Sequence, residues 1–196
     1  SNLDAVLREK MRTELKLLFK KIQGTVIYVT HDQTEAMSLS DRIAVIDRGR
    51  LKQEGMPDEL YSKPKNLFVA SFLGAPRINT IEVGIIGEEN LVIGEICLKI
   101  PLDYRPKLNK KDKVILGVRP EDIMIYPESK ENAFLAHCVV IERIGKDAVL
   151  SLSWQSQILK AIVERDFQAQ YKSNKVWFEI NMKKLYFFNK DTQELL

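Results

Sequence analysis

Thr25-Val26-Ile27-Tyr28-Val29-Thr30-His31-Asp32-Gln33-Thr34-Glu35-Ala36-Met37 is a run of β-branched and aromatic residues that stops at a histidine and then changes period. Val26 to Val29 are apolar without alternation, the pattern of a strand covered on both faces, as in a parallel α/β sheet. Asp32 followed by Glu35 three residues on is a capping-box-like start for a helix holding Ala36 and Met37. Ligands of open α/β sheets lie beyond the carboxyl ends of the strands, where this reading sets His31. Two roles fit that place: a site residue, or a loop histidine that only satisfies local hydrogen bonds.

Upstream, Leu7, Met11, Leu15, Leu18 and Ile22 recur at helical spacing, predicting a helix from the first residues to about Gln23 with one apolar stripe and a charged outer face. Gly24 is expected to stop it. Downstream, Arg42 to Asp47 and Arg50 to Glu54 read as a hairpin turning at Arg48-Gly49. Pro57 opens a short helix, Pro64 ends it, and a second helix over Asn66 to Leu73 closes at Gly74-Ala75-Pro76. The domain boundary is placed there, giving 1–74 and 75–196.

Past Pro76 the texture becomes β-rich. Strands are expected at Asn79–Ile86, Leu91–Ile93, Ile96–Ile100, Lys113–Val118, Ile123–Tyr126, Leu135–Ile144, Ala148–Ser153, Ile158–Ile162, Lys175–Ile180 and Leu185–Phe188. Many short strands imply a barrel or sandwich, so the chain as a whole is α+β. Pro120-Glu121-Asp122 suits a single helical turn.

These residues resemble a known family. Thr30-His31-Asp32-Gln33-x-Glu35-Ala36-Met37, Asp41-Arg42-Ile43-Ala44-Val45-Ile46, Gly49-Arg50 and Gly55-x-Pro57-x-Glu59-Leu60-Tyr61 are similar to the late part of ABC-transporter ATPases, most closely those of maltose- and glycerol-3-phosphate-type importers. Leu116-Gly117-Val118-Arg119-Pro120-Glu121-Asp122-Ile123 and the closing stretch Lys184 to Thr192 resemble motifs of the OB-like regulatory (TOBE) domain of the same subunits. The resemblance implies a C-terminal remnant of the ATPase domain over 1–74, a truncated α/β piece, followed by a regulatory barrel domain over 75–196. It implies that His31 is the switch histidine contacting the γ-phosphate. Ser1, Asn2 and Asp4 match the D-loop that touches the neighbouring subunit's nucleotide; Ser1-Asn2 is equally readable as a leftover of cloning, and Asp4 as a first-turn acid favoured by the helix dipole.

Further implications are ATP and Mg²⁺ in the full-length parent, a homodimer, membrane-spanning permease partners, and a regulatory protein acting on the C-terminal domain. The parent would sit on the inner face of the cell membrane. No GxxxxGK[ST] phosphate loop and no LSGGQ-like segment occur in the chain, so by itself it is expected neither to hydrolyse ATP nor to hold a cofactor. The Val26–Val29 strand would then lack its sheet neighbours, which suggests packing against a second copy.

Composition narrows the alternatives. The 196 residues carry a net charge of +3 with both signs interspersed, which argues against a nucleic-acid binder. An OB-like barrel can still bind oligonucleotides through exposed aromatics, with Trp154, Tyr171, Trp177 and Tyr186 to Phe188 available, although Val176-Trp177-Phe178 and Leu185 to Phe188 read as core strands. A small-ligand or oxyanion sensor is a further alternative. The longest uncharged, mostly apolar runs, Leu67 to Pro76 and Ala133 to Ile141, are far short of the roughly 20 residues of a spanning helix, and no secretory signal is expected. Cys97 and Cys138 are expected as two buried free thiols, His137 as a core histidine, and no metal site is expected. The basic run Lys107 to Lys113 reads as a solvated loop.

Overall fold

The helical period of the first segment produces helix α1, Asn2–Lys21, with Lys20 and Lys21 in its last turn, where cations complement the helix dipole. The computed structural model describes residues 2–22, 24–108, 113–165 and 174–196. They fall into two units, Ser1–Gly74 and Ala75–Leu196.

In the first unit α1 is followed by an extended segment, 25–32, and helix α2, Gln33–Leu39. Strands β1, Ile43–Asp47, and β2, Arg50–Gly55, pair antiparallel. Their two-residue turn has positive φ at both Arg48 (49°) and Gly49 (75°), the twist that a tight hairpin needs. Helix α3, Pro57–Ser62, starts with proline at a position whose N–H has no helical partner. Helix α4, Leu67–Phe72, is capped by Asn66, whose Oδ1 accepts the Val69 N–H at 3.0 Å. Ile43, Val45, Leu60, Val69 and Leu73 form the core, with Ala36 and Met37 of α2 packed on it. Gln53, buried among them, donates to the Lys63 carbonyl at 3.1 Å and accepts from the Lys65 N–H at 2.7 Å, which fixes the α3–α4 connection to β2.

One expectation for this unit fails. Residues 25–30 form no strand, and Ile27 and Val29 are 88% and 90% exposed. Among the described residues no strand lies beside them, and an extended segment without a ladder partner leaves its backbone to solvent. The α1 stripe forms as expected, and Leu7, Met11, Leu18 and Ile22 along it are about half exposed.

The second unit contains β3 (Asn79–Ile86), β4 (Asn90–Ile93), β5 (Ile96–Lys99), a helical turn α5 (Arg105–Leu108), β6 (Lys113–Val118), β7 (Ile123–Tyr126), β8 (Phe134–Ile144), β9 (Asp147–Trp154), β10 (Gln157–Glu164), β11 (Lys175–Ile180) and β12 (Tyr186–Asn189). They make two antiparallel sheets, β12-β6-β3-β4-β5 and β10-β9-β8-β11-β7. Alternating inward residues of both sheets share one core, including Ile81, Leu116, Leu150, Leu159, Phe178 and Phe187. Asn79 bonds across the strands of different sheets: its Nδ2 donates to the Lys160 carbonyl at 2.8 Å and its Oδ1 accepts the Lys160 N–H at 2.6 Å.

Pro120–Asp122 is a single 3-10 turn, as read from the sequence. It follows Arg119, which is 1% exposed, with its guanidinium carbon 5.7 Å from the centre of the Tyr186 ring. Asp122, also buried, pairs with Lys184 at 3.1 Å, and that bond with the neighbouring carboxylate charge raises the lysine pKa above its ordinary value. The closing residues turn on Asn189, whose Oδ1 accepts the N–H groups of Asp191 and Thr192 at 2.8 and 3.0 Å.

Three smaller readings need correction or fall elsewhere. Cys138 is buried and its thiol is pushed up by burial, but Cys97 is exposed, because it takes the outward position of the alternating edge strand β5. His137 is exposed as well: in β8 its neighbours Ala136 and Cys138 point inward, so the two-residue period turns it out. Tyr171 and residues 109–112 of the basic run lie outside the described residues.

Candidate functional site

His31 stands on the loop between the extended segment and α2, and it is exposed. Local chemistry shapes that loop. Asp32 is the N-cap of α2, its Oδ1 accepting the N–H groups of Thr34 at 2.7 Å and Glu35 at 3.2 Å. Burial pushes the Asp32 carboxyl up, but the bonds from the Glu35 and Thr34 N–H groups outweigh it and leave the group below its ordinary value of 3.8.

The reciprocal half of a capping box is absent in its direct form. The Asp32 N–H donates to Thr30 Oγ1 at 3.0 Å, and the Thr30 hydroxyl in turn donates to Glu35 Oε2 at 2.6 Å. The same carboxylate oxygen accepts the Tyr28 hydroxyl at 3.0 Å, and this bond, with burial and the Glu35 and Asp32 charges, raises the phenol above its ordinary 10.0. The Tyr28 ring is also tilted against Phe19 of α1, centroids 6.0 Å apart. Tyr28 and Thr30 therefore face α2 while Ile27 and Val29 point outward. Gln33, the first residue of α2, accepts the Gly74 N–H at 2.7 Å, so the start of α2 is also tied to the last residue of the unit.

Of the residues expected to match a D-loop, Ser1 lies outside the described residues, and Asn2 and Asp4 belong to the first turn of α1. The sequence marks Glu35 as the acid of a capping box, whereas its carboxylate accepts from Tyr28 and Thr30, two side chains to which the sequence assigns no role. The readable signal was a hydroxyl residue two before the cap and an acid three after it. Among the described residues no three His, Cys, Asp or Glu side chains converge as a metal site. An exposed imidazole supplies one hydrogen-bonding group to a ligand held by other residues. No helix among the described residues is long and apolar enough to cross a membrane.

A family model for the MalK OB fold domain matches residues 74–123. The trehalose/maltose import ATP-binding protein MalK of Thermococcus litoralis is 38% identical over 98% of this chain and 54% of its own length. The xylose/arabinose import ATP-binding protein XacJ of Haloferax volcanii is 38% identical over 98% of this chain and 52% of its own. The chain thus spans about half the length of the curated relatives it matches. Among solved structures, the cytoplasmic molybdate-binding protein ModG covers 56% of this chain and 94% of its own at 12% identity and a TM-score of 0.46, a likeness too loose to inform function. Along nearly its whole length the chain is thus similar to part of the MalK- and XacJ-type import ATP-binding proteins, and its residues 74–123 match the MalK OB fold domain.

Proposed function

We propose that this chain is the C-terminal portion of the ATP-hydrolysing subunit of an ABC importer for sugars or related solutes. The observation that carries the reading is coverage: 98% of the chain aligns with import ATP-binding proteins, yet it spans only about half of each. In this reading residues 1–74 complete an ATPase domain and residues 75–196 form a regulatory and dimerisation domain. The apolar faces of α1 and of residues 26–29 support it, since a face of that kind is stable only when covered.

His31 is then the switch histidine that meets the γ-phosphate, and Ser1, Asn2 and Asp4 approach the nucleotide of a neighbouring subunit. In this reading the phosphate cradle and the metal ligands are supplied by other parts of the subunit, since no GxxxxGK[ST] loop occurs in this sequence. Permease subunits in the membrane would hold the assembled pair at the cytoplasmic face, and a regulatory protein would act on the second unit. The test is His31→Ala in the longer subunit assembled with its membrane partners. Loss of one transition-state donor should lower ATP turnover on the order of a hundredfold; unchanged turnover would contradict the assignment.

A further inference from the structure

Glu35 does not behave as a capping residue. Asp32 alone satisfies the N–H groups of Thr34 and Glu35 at the start of α2, so the helix does not require the Glu35 carboxylate for its cap. That carboxylate turns away from the helix and collects two hydroxyl donors from the preceding segment on one oxygen, Thr30 at 2.6 Å and Tyr28 at 3.0 Å. The Thr30 contact has the length of a charge-assisted O–H···O⁻ bond. The same Thr30 oxygen accepts the Asp32 N–H, so residues 30 and 32, on either side of His31, are both fastened to the first turn of α2. A histidine on an exposed loop would otherwise sample many positions.

We propose that Glu35 is a positioning residue for His31, acting through the Thr30 hydroxyl: it fixes the backbone on both sides of the imidazole without touching it. This rests on the reading of His31 as the group that meets the nucleotide phosphate, and it adds the residue that holds that group in place. Tyr28 is the second anchor of the same carboxylate and joins it to α1 through its ring contact with Phe19.

Two readouts test it. In this chain, backbone ¹⁵N relaxation should give His31 an order parameter typical of ordered backbone, about 0.85, falling below about 0.6 in Glu35→Ala. Thr30→Val, which removes the hydroxyl at nearly constant shape, should loosen His31 in the same way while the amide shifts of β1 and β2 stay in place; Glu35→Gln, which keeps an acceptor, should restore much of the order. In the longer assembled subunit, Glu35→Ala should lower kcat on the order of tenfold to a hundredfold, the scale of a misplaced catalytic group, with little change in KM. Combined with His31→Ala it should add no further loss, because the two changes remove one function.

Unchanged order at His31 in both Glu35→Ala and Thr30→Val, or a double variant much worse than His31→Ala alone, would overturn the proposal. Full turnover in His31→Ala would instead overturn the nucleotide role, and the order parameters would still decide whether Glu35 holds the loop.

Discussion

At the scale of single residues, Asp32 is the best-defined anchor of the histidine loop. Removing its carboxylate in Asp32→Ala should destabilise α2 by about 1 kcal/mol, the usual worth of an N-cap. The sign of its pH dependence follows from its lowered pKa. The stability it contributes is complete above the ordinary carboxyl value of 3.8 and is lost as pH falls through the lower folded value. Amide shifts of Thr34 and Glu35 followed by NMR should therefore hold steady down to about pH 4 and move together below it. Asp32→Asn should lack that transition.

The cap was legible in the sequence because the side-chain oxygen and the N–H groups it accepts are only two and three residues apart. The Tyr28–Glu35 bond, seven residues apart, was not, since it depends on how the extended segment lies against α2. Cys97 and His137 were misread for a related reason. Apolar neighbours along the chain say little about which face of a sheet a residue takes, and the two-residue period decides it.

At the scale of elements, the β-rich half was readable because its strands alternate and its turns carry glycine, as at Gly94 (φ 58°) and Gly145 (φ 61°). The β9–β10 hairpin departs from that rule. Gln155 and Ser156 both take positive φ, 47° and 61°, in a two-residue turn that asparagine and glycine fit better. Gln155→Asn with Ser156→Gly should raise the stability of the chain by about 1 kcal/mol, seen as a higher urea midpoint with an unchanged slope. An unchanged or lower midpoint would mean that the turn is held by its side chains rather than strained. The short helix α5 escaped the sequence reading because Pro106 lies within its four residues and no apolar period marks it. The Val26–Val29 strand failed for another reason. An unbroken apolar run reports that a segment is to be covered, not that the covering elements are present, and Ile27 and Val29 remain open.

For the whole molecule, the two units differ in how they are closed. The second has a shared core drawn from both of its sheets, whereas the first keeps a smaller core and leaves much of the α1 stripe, with Ile27 and Val29, exposed. Such a surface favours assembly, and the absence of a phosphate loop from this sequence separates assembly from nucleotide. Sedimentation equilibrium of the chain with and without Mg-ATP tests both statements at once. A mass of two chains that Mg-ATP leaves unchanged is expected; a single-chain mass, or a mass that shifts with nucleotide, would overturn the assembly of the exposed faces or its independence of nucleotide.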